Sequence, residues 1–149
     1  MSNVSVHYKV KTASEKDLGA HLYACNDNFN QPLSQRVNIE EYAQKIFKNA
    51  ITFEAWLDGE LVGLVSAYFN DSNNPSSGFI TNVSVKIDFM GKGLATTLMN
   101  NCLDYAQKLN IKKISLEVSS DNNSAIRFYK KFGFTEIETQ GNSVIMNKL

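Results

Sequence analysis

Val83-Ser84-Val85-Lys86-Ile87-Asp88-Phe89-Met90-Gly91-Lys92-Gly93-Leu94-Ala95-Thr96-Thr97-Leu98 decides how the rest of the chain is read. Its first part alternates apolar and polar residues, which predicts a strand. Two glycines separated by one residue follow, and Leu94, Leu98, Cys102, Tyr105 and Leu109 then recur at helical spacing. The stretch reads as strand, tight turn, helix. Gly91 and Gly93 leave main-chain N–H groups unshielded at the helix start, where unpaired donors and the positive end of the helix dipole attract phosphate. The same glycines also serve simply to make the turn, and their spacing alone leaves both readings open.

On the N-terminal side, Ile51 to Leu57 and Leu61 to Phe69 are β-rich runs joined by Asp58-Gly59, the signature of a type I′ hairpin. A polar gap from Asn70 to Ser77 is expected to be a loop, after which Gly78 to Val85 forms a strand. Nearer the start, the alternation of Val4, Val6, Tyr8 and Val10 predicts a strand, and Ser14 with Asp17 caps a helix carrying Leu18, Leu22, Tyr23 and Cys25. Asn38 followed by Glu41 opens a second helix with an apolar stripe of Ile39, Tyr42, Ala43, Ile46 and Phe47.

On the C-terminal side, Lys113 to Val118 predicts a strand with Ile114, Leu116 and Val118 on one face. Asp121 or Asn122 then caps a helix bearing Ala125, Ile126, Phe128, Tyr129 and Phe132, which Gly133 ends. Phe134 opens another strand, and Gly141-Asn142 turns it into a last one ending near Lys148. The order predicts one α/β domain over residues 1–149, with a mixed, mostly antiparallel sheet flanked by helices on both faces.

Fifteen basic and fifteen acidic residues cancel, so no global field draws in nucleic acid or an anionic membrane surface. No basic and apolar leader opens the chain, and no apolar run approaches about 18 residues, so a soluble, cytoplasmic protein is expected. Cys25 and Cys102 have no zinc-like spacing with each other, His7 or His21. Both read as buried thiols, no metal is expected, and neither histidine is given a role. A free edge strand near the C-terminus is compatible with a homodimer.

The combination of Val83-Ser84-Val85, Gly91-Lys92-Gly93-Leu94-Ala95, Leu116-Glu117-Val118 and Asn122-x-x-Ala125-Ile126-x-x-Tyr129-x-x-x-Gly133-Phe134 resembles the GCN5-related N-acetyltransferases. The matching part covers roughly the C-terminal half. The resemblance implies transfer of an acetyl group from acetyl-CoA to a primary amine. It also implies that main-chain groups of Met90, Gly91, Lys92, Gly93, Leu94, Ala95 and Thr96 wrap the pyrophosphate of coenzyme A, with small residues at 91, 93 and 95 keeping the cradle open. Met90 departs from the family's pattern, which bears on its side chain and not on the backbone. Val83, Ser84 and Val85 would hold the pantetheine arm by main-chain pairing, as an added strand does, and an N–H there would stabilise the oxyanion. An ordinary core strand would look the same.

Tyr129 matches the family's general acid, a phenol able to protonate the departing thiolate. A core tyrosine is the alternative role. Asn122 would help to hold the coenzyme, or simply cap its helix. Thr81 and Asn82 stand where many members carry a basic glutamate, and neither can serve. Glu117, twelve residues before Tyr129, matches the base of acetyltransferases that modify the N-terminus of a ribosomal protein, and burial of its strand would raise its pKa usefully. A surface ion pair, or a water chain in place of a side-chain base, remains the alternative. Lys112-Lys113 and Lys130-Lys131 read as solvated pairs, one of which could meet the coenzyme's 3′-phosphate.

For the acceptor, the resemblance implies that the first helices and their loop, Tyr23 to Tyr42, line the cleft, with Asn26, Asp27, Asn28, Gln31 and Arg36 as polar candidates. That lining favours a small polar amine such as an amino sugar, amino acid or polyamine. A protein α-amine is the alternative acceptor, and a catalytically silent acyl-CoA-binding module the alternative to an enzyme. A dinucleotide-binding oxidoreductase is disfavoured, because Thr96 replaces the third glycine of its fingerprint and an antiparallel meander precedes the turn.

Overall fold

The computed structural model describes residues 5–28, 32–71 and 74–149. Among the described residues seven strands form one sheet: β1 (His7–Val10), β2 (Ile51–Leu57), β3 (Glu60–Asp71), β4 (Asn74–Val85), β5 (Lys113–Ser119), β6 (Thr135–Gln140) and β7 (Ser143–Lys148). Among the same residues four α-helices accompany them: α1 (Glu15–Ala24), α2 (Ile39–Asn49), α3 (Leu94–Lys108) and α4 (Asn123–Lys131). The strand order is β1-β2-β3-β4-β5-β7-β6, and β4 with β5 is the parallel pair in an otherwise antiparallel ladder.

Local chemistry sets the joints. Asp58 and Gly59 both have positive φ, at 50° and 78°, which the I′ turn between β2 and β3 requires. Ser14 and Asp17 form a reciprocal capping box on α1, with bonds of 3.0 and 2.9 Å. Asn38 accepts from the Glu41 N–H at 3.0 Å and starts α2. The expected loop from Asn70 to Ser77 is mostly strand instead, since β3 runs to Asp71 and β4 resumes at Asn74. Val4 and Gln31 lie outside the described residues.

The sheet separates two apolar layers. Leu98, Met99 and Cys102 of α3 and Ile126 of α4 pack with Phe53, Val65, Ile80, Leu116 and Met146 on one face. On the other, Leu18 and Leu22 of α1 and Ile39, Ala43 and Ile46 of α2 pack on Leu61 and Leu64. Among the described residues no helix is long and apolar enough to cross a membrane.

Glu54 of β2 and His21 of α1 are fully buried. Glu54 accepts hydrogen bonds from the main-chain N–H groups of Thr12 and Ala13, both threonine hydroxyls at 12 and 52, and the Trp56 indole. Burial opposes its charge, and these donors outweigh burial and lower its pKa. His21 lies between the Leu61 carbonyl, 3.2 Å from Nδ1, and Ser84 Oγ, 2.9 Å from Nε2. Burial lowers its pKa from 6.5 to about 4. Because the folded value is depressed, unfolding takes up a proton below the unfolded value. The corresponding stability is present above pH 6.5 and lost as pH falls toward 4, a loss of about 3 kcal/mol. Denaturant unfolding at pH 7 and pH 5 should differ by about 2 kcal/mol from this residue, and His21→Gln should flatten the dependence. An equally steep dependence in that variant would assign acid sensitivity to other groups.

Candidate active site

The site begins where β4 leaves β5. Their parallel register runs from Ser77 opposite Lys113 to Ile80 opposite Leu116 and then stops, although both strands continue. The next residue of β4, Thr81, is the extra residue of a β-bulge against β3: Ser66 pairs with Asn82 while Ala67 pairs with Ile80. Beyond it, the Lys86 N–H donates to the Val62 carbonyl at 2.9 Å. Because main-chain groups alternate along a strand, those of Val83 and Val85 are directed away from β3, toward the gap beside β5.

That gap opens into a cavity of about 830 Å³. Val83, Ser84 and Val85 form one wall, and Met90, Gly91, Gly93, Leu94, Ala95 and Thr96 form its far end. Gly91 and Gly93 have φ of 74° and 83°, a left-handed conformation that glycine adopts without strain. At either position no neighbouring atom lies within 4 Å of where a Cβ would stand, so the main chain borders open space. Gly93 is the N-cap of α3.

A second helix start meets the first. Asn122 caps α4 by accepting from the Ala125 N–H at 3.2 Å, and Asn122, Ser124 and Ala125 line the same cavity. The first turns of α1 and α2 carry Glu15, Asp17, Glu40 and Glu41, the usual complement to the helix dipole. The first turns of α3 and α4 carry no acid. Two positive helix ends therefore converge on one cleft with no carboxylate in either first turn to offset them.

Tyr129 lies on the cavity with Phe128, its ring edge-to-face with Phe128 at 5.5 Å and with Phe134 at 6.1 Å. Burial raises its pKa to about 12, so the hydroxyl keeps its proton throughout the neutral range. Two of the expected site residues are not among the lining. Lys92 turns aside, its Nζ 5.9 Å from the Phe89 ring centroid, and Glu117 is exposed on β5. The burial on which a desolvated Glu117 depends does not reach that side chain, because the α1–α2 layer packs on β2 and β3. Ala125, part of the Asn122-x-x-Ala125 motif, lines the cavity, and so do Phe89, Ser124 and Phe128, which stand at no fixed position of the motifs. Phe128 adjoins Tyr129 in the apolar pattern of α4, which was the available signal. Lys130 is held by Glu136 at 2.9 Å.

An elongated ligand carrying phosphates fits these residues. The open space at Gly91 and Gly93 admits an anion against main-chain donors, and the gap beside Val83 admits an extended arm. The fold and cleft thus define an α/β protein with a cleft at two splayed strands, bordered by the N-termini of α3 and α4 and by Tyr129. Residues 19–134 match the model of the acetyltransferase (GNAT) family, and the chain belongs to that family.

It is 34% identical over 89 residues to an uncharacterized N-acetyltransferase of Methanocaldococcus jannaschii, a match covering 58% of this chain and 39% of the relative. It is 32% identical over 123 residues to N-alpha-acetyltransferase 50 of Danio rerio, covering 74% of this chain and 69% of the relative. It is 33% identical over 112 residues to spermidine N(1)-acetyltransferase of Vibrio cholerae, covering 72% and 64%. The match thus spans less than half the length of the archaeal relative. The fold is shared with Arabidopsis thaliana Naa50, solved with the bisubstrate analogue CoA-Ac-MVNAL, at a TM-score of 0.76 and 22% identity over 98% of this chain and 99% of that one.

Proposed function

We propose that this chain transfers an acetyl group from acetyl-CoA to the primary amine of a small molecule. The observation that carries the proposal is the convergence of two carboxylate-free helix N-termini on a cleft that Tyr129 lines. When bound, the coenzyme supplies the acetyl thioester. The main chain from Met90 to Thr96 holds its pyrophosphate at the α3 dipole, Asn122 supports it from α4, and Val83 to Val85 pair with its extended arm. A main-chain N–H of that strand donates to the carbonyl oxygen as negative charge develops on it. Tyr129 donates its hydroxyl proton to the departing sulfur. Glu117 is exposed on β5 and outside the cavity lining, so it would take the proton of the incoming ammonium through water and not by direct contact.

A cationic acceptor is favoured by a row of side chains on the uncovered face of the sheet. Glu117 of β5 and Glu138 of β6 are both partners of Ile145 on β7, and both are exposed. The Vibrio cholerae relative, named for spermidine, is consistent with such an acceptor. The Danio rerio relative favours a second reading, acetylation of a protein α-amine.

Acetyl-CoA at 100 times its dissociation constant should stabilise the fold by about 2.7 kcal/mol, raising the unfolding midpoint by about 5 to 10 °C, and NAD should not. Thiol release should then be followed with polyamines, amino sugars and amino acids against peptides with free N-termini. Turnover on the peptides alone would select the α-amine reading. Stabilisation without turnover on any amine would make the chain a binding module.

A further inference from the structure

The bulge in β4 raises the question of what holds it. At Thr81 the main chain gives up its place in the ladder with β5: the register would next set Thr81 against Glu117, and it ends one residue earlier. The carbonyl of that extra residue is taken by a side chain from the opposite layer. Tyr42 Oη donates to the Thr81 carbonyl at 2.6 Å and lies 2.9 Å from Thr81 Oγ1. The helix that supplies it is fixed in rotation, because Ile39, Ala43 and Ile46 are buried on the sheet and leave Tyr42 at the flank. Burial raises the Tyr42 pKa, so the donor proton stays in place at neutral pH.

We propose that Tyr42 is a positioning residue, whose hydroxyl holds the β4 bulge at Thr81 and thereby keeps β4 and β5 apart along the coenzyme cleft. The proposal rests on the coenzyme reading of that cleft given above. Its physical basis is the cost of leaving a part-buried carbonyl unpaired. With Tyr42 in place, the Thr81 carbonyl is satisfied on the α2 side. Without that donor, the Thr81 carbonyl would need another partner, and continuing the register with β5 would close the splay into which the main-chain groups of Val83 are directed. The clamp therefore acts on the arm of the coenzyme and not on the chemistry at Tyr129.

The test uses Tyr42→Phe in the full chain, with coenzyme A titrated calorimetrically well below the unfolding midpoint of each protein. Affinity should fall about tenfold, equivalent to about 1.4 kcal/mol. A second readout separates a clamp from general loosening. Amide hydrogen exchange at Val83, which is directed into the cleft, should slow in the variant as the strands pair, whereas a merely destabilised protein exchanges faster. Glu54→Gln serves as a control for destabilisation, since that side chain bonds only around β1 and β2, and it should leave coenzyme affinity within about twofold. Unchanged affinity in Tyr42→Phe, or weaker binding with faster exchange at Val83, would overturn the clamp. Failure of the wild-type protein to bind coenzyme A would instead remove the coenzyme reading and the clamp with it.

Discussion

Tyr129→Phe is expected to lower turnover about 10²-fold while leaving coenzyme affinity within about twofold. Loss of the hydroxyl removes a proton donor from the departing sulfur and leaves the ring contacts with Phe128 and Phe134 intact. A phenol raised to about 12 is a weak acid in isolation. Desolvation raises a thiol as it raises a phenol, as the core residue Cys102, pushed up to about 12, shows, so a thiolate leaving beside Tyr129 would be made more basic in the same direction. The sign of the shift also fixes the pH profile. Tyr129 stays protonated until pH approaches 12, so the wild-type turnover should show no alkaline descent from this group below about pH 11. In the variant the whole profile should drop without changing shape there. A rate equal to wild type would take Tyr129 out of the chemistry and return it to a packing role.

What the chain discloses before folding depends on how far apart the interacting groups lie. The strand, turn and helix around Gly91 and Gly93 are local, and so are the caps at Ser14, Asn38 and Asn122. Each depends on side chains within one turn of the backbone, so spacing reveals them. The period-two pattern of β5 likewise separates Ile114, Leu116 and Val118 from Glu117. Spacing is silent on whether the other face of a strand is covered, and the exposure of Glu117 follows from where the α1–α2 layer ends. His21 is hidden for the same reason, because its partner Ser84 is 63 residues away. The bulge at Thr81 has no signature in Ile80-Thr81-Asn82, and the tyrosine that holds it is 39 residues earlier. Motif reading therefore recovers one wall and both ends of the cleft. It misses what props the cleft open.

Gly93→Ala separates the two roles that spacing leaves open for the glycine turn. At φ 83° an alanine adopts the left-handed conformation at a cost of about 1–2 kcal/mol, which the fold bears whether or not a ligand is involved. If the glycines only make the turn, the unfolding midpoint falls by a few degrees and coenzyme A binds as before at lower temperature. If the main chain at the α3 N-terminus grips a diphosphate, the added methyl occupies the open space beside Gly93 and holds the anion off its donors. Charge-assisted hydrogen bonds contribute about 1.5–3 kcal/mol each, so loss of one or two should weaken coenzyme A about 10²-fold or more. Titrating coenzyme A and its 3′,5′-ADP fragment locates the loss. The fragment lacks the pyrophosphate linkage to the pantetheine arm, so its weaker binding should change less than that of the whole coenzyme. Equal affinities in variant and wild type would reduce Gly93 to a turn former and leave the α3 N-terminus without an anion to hold.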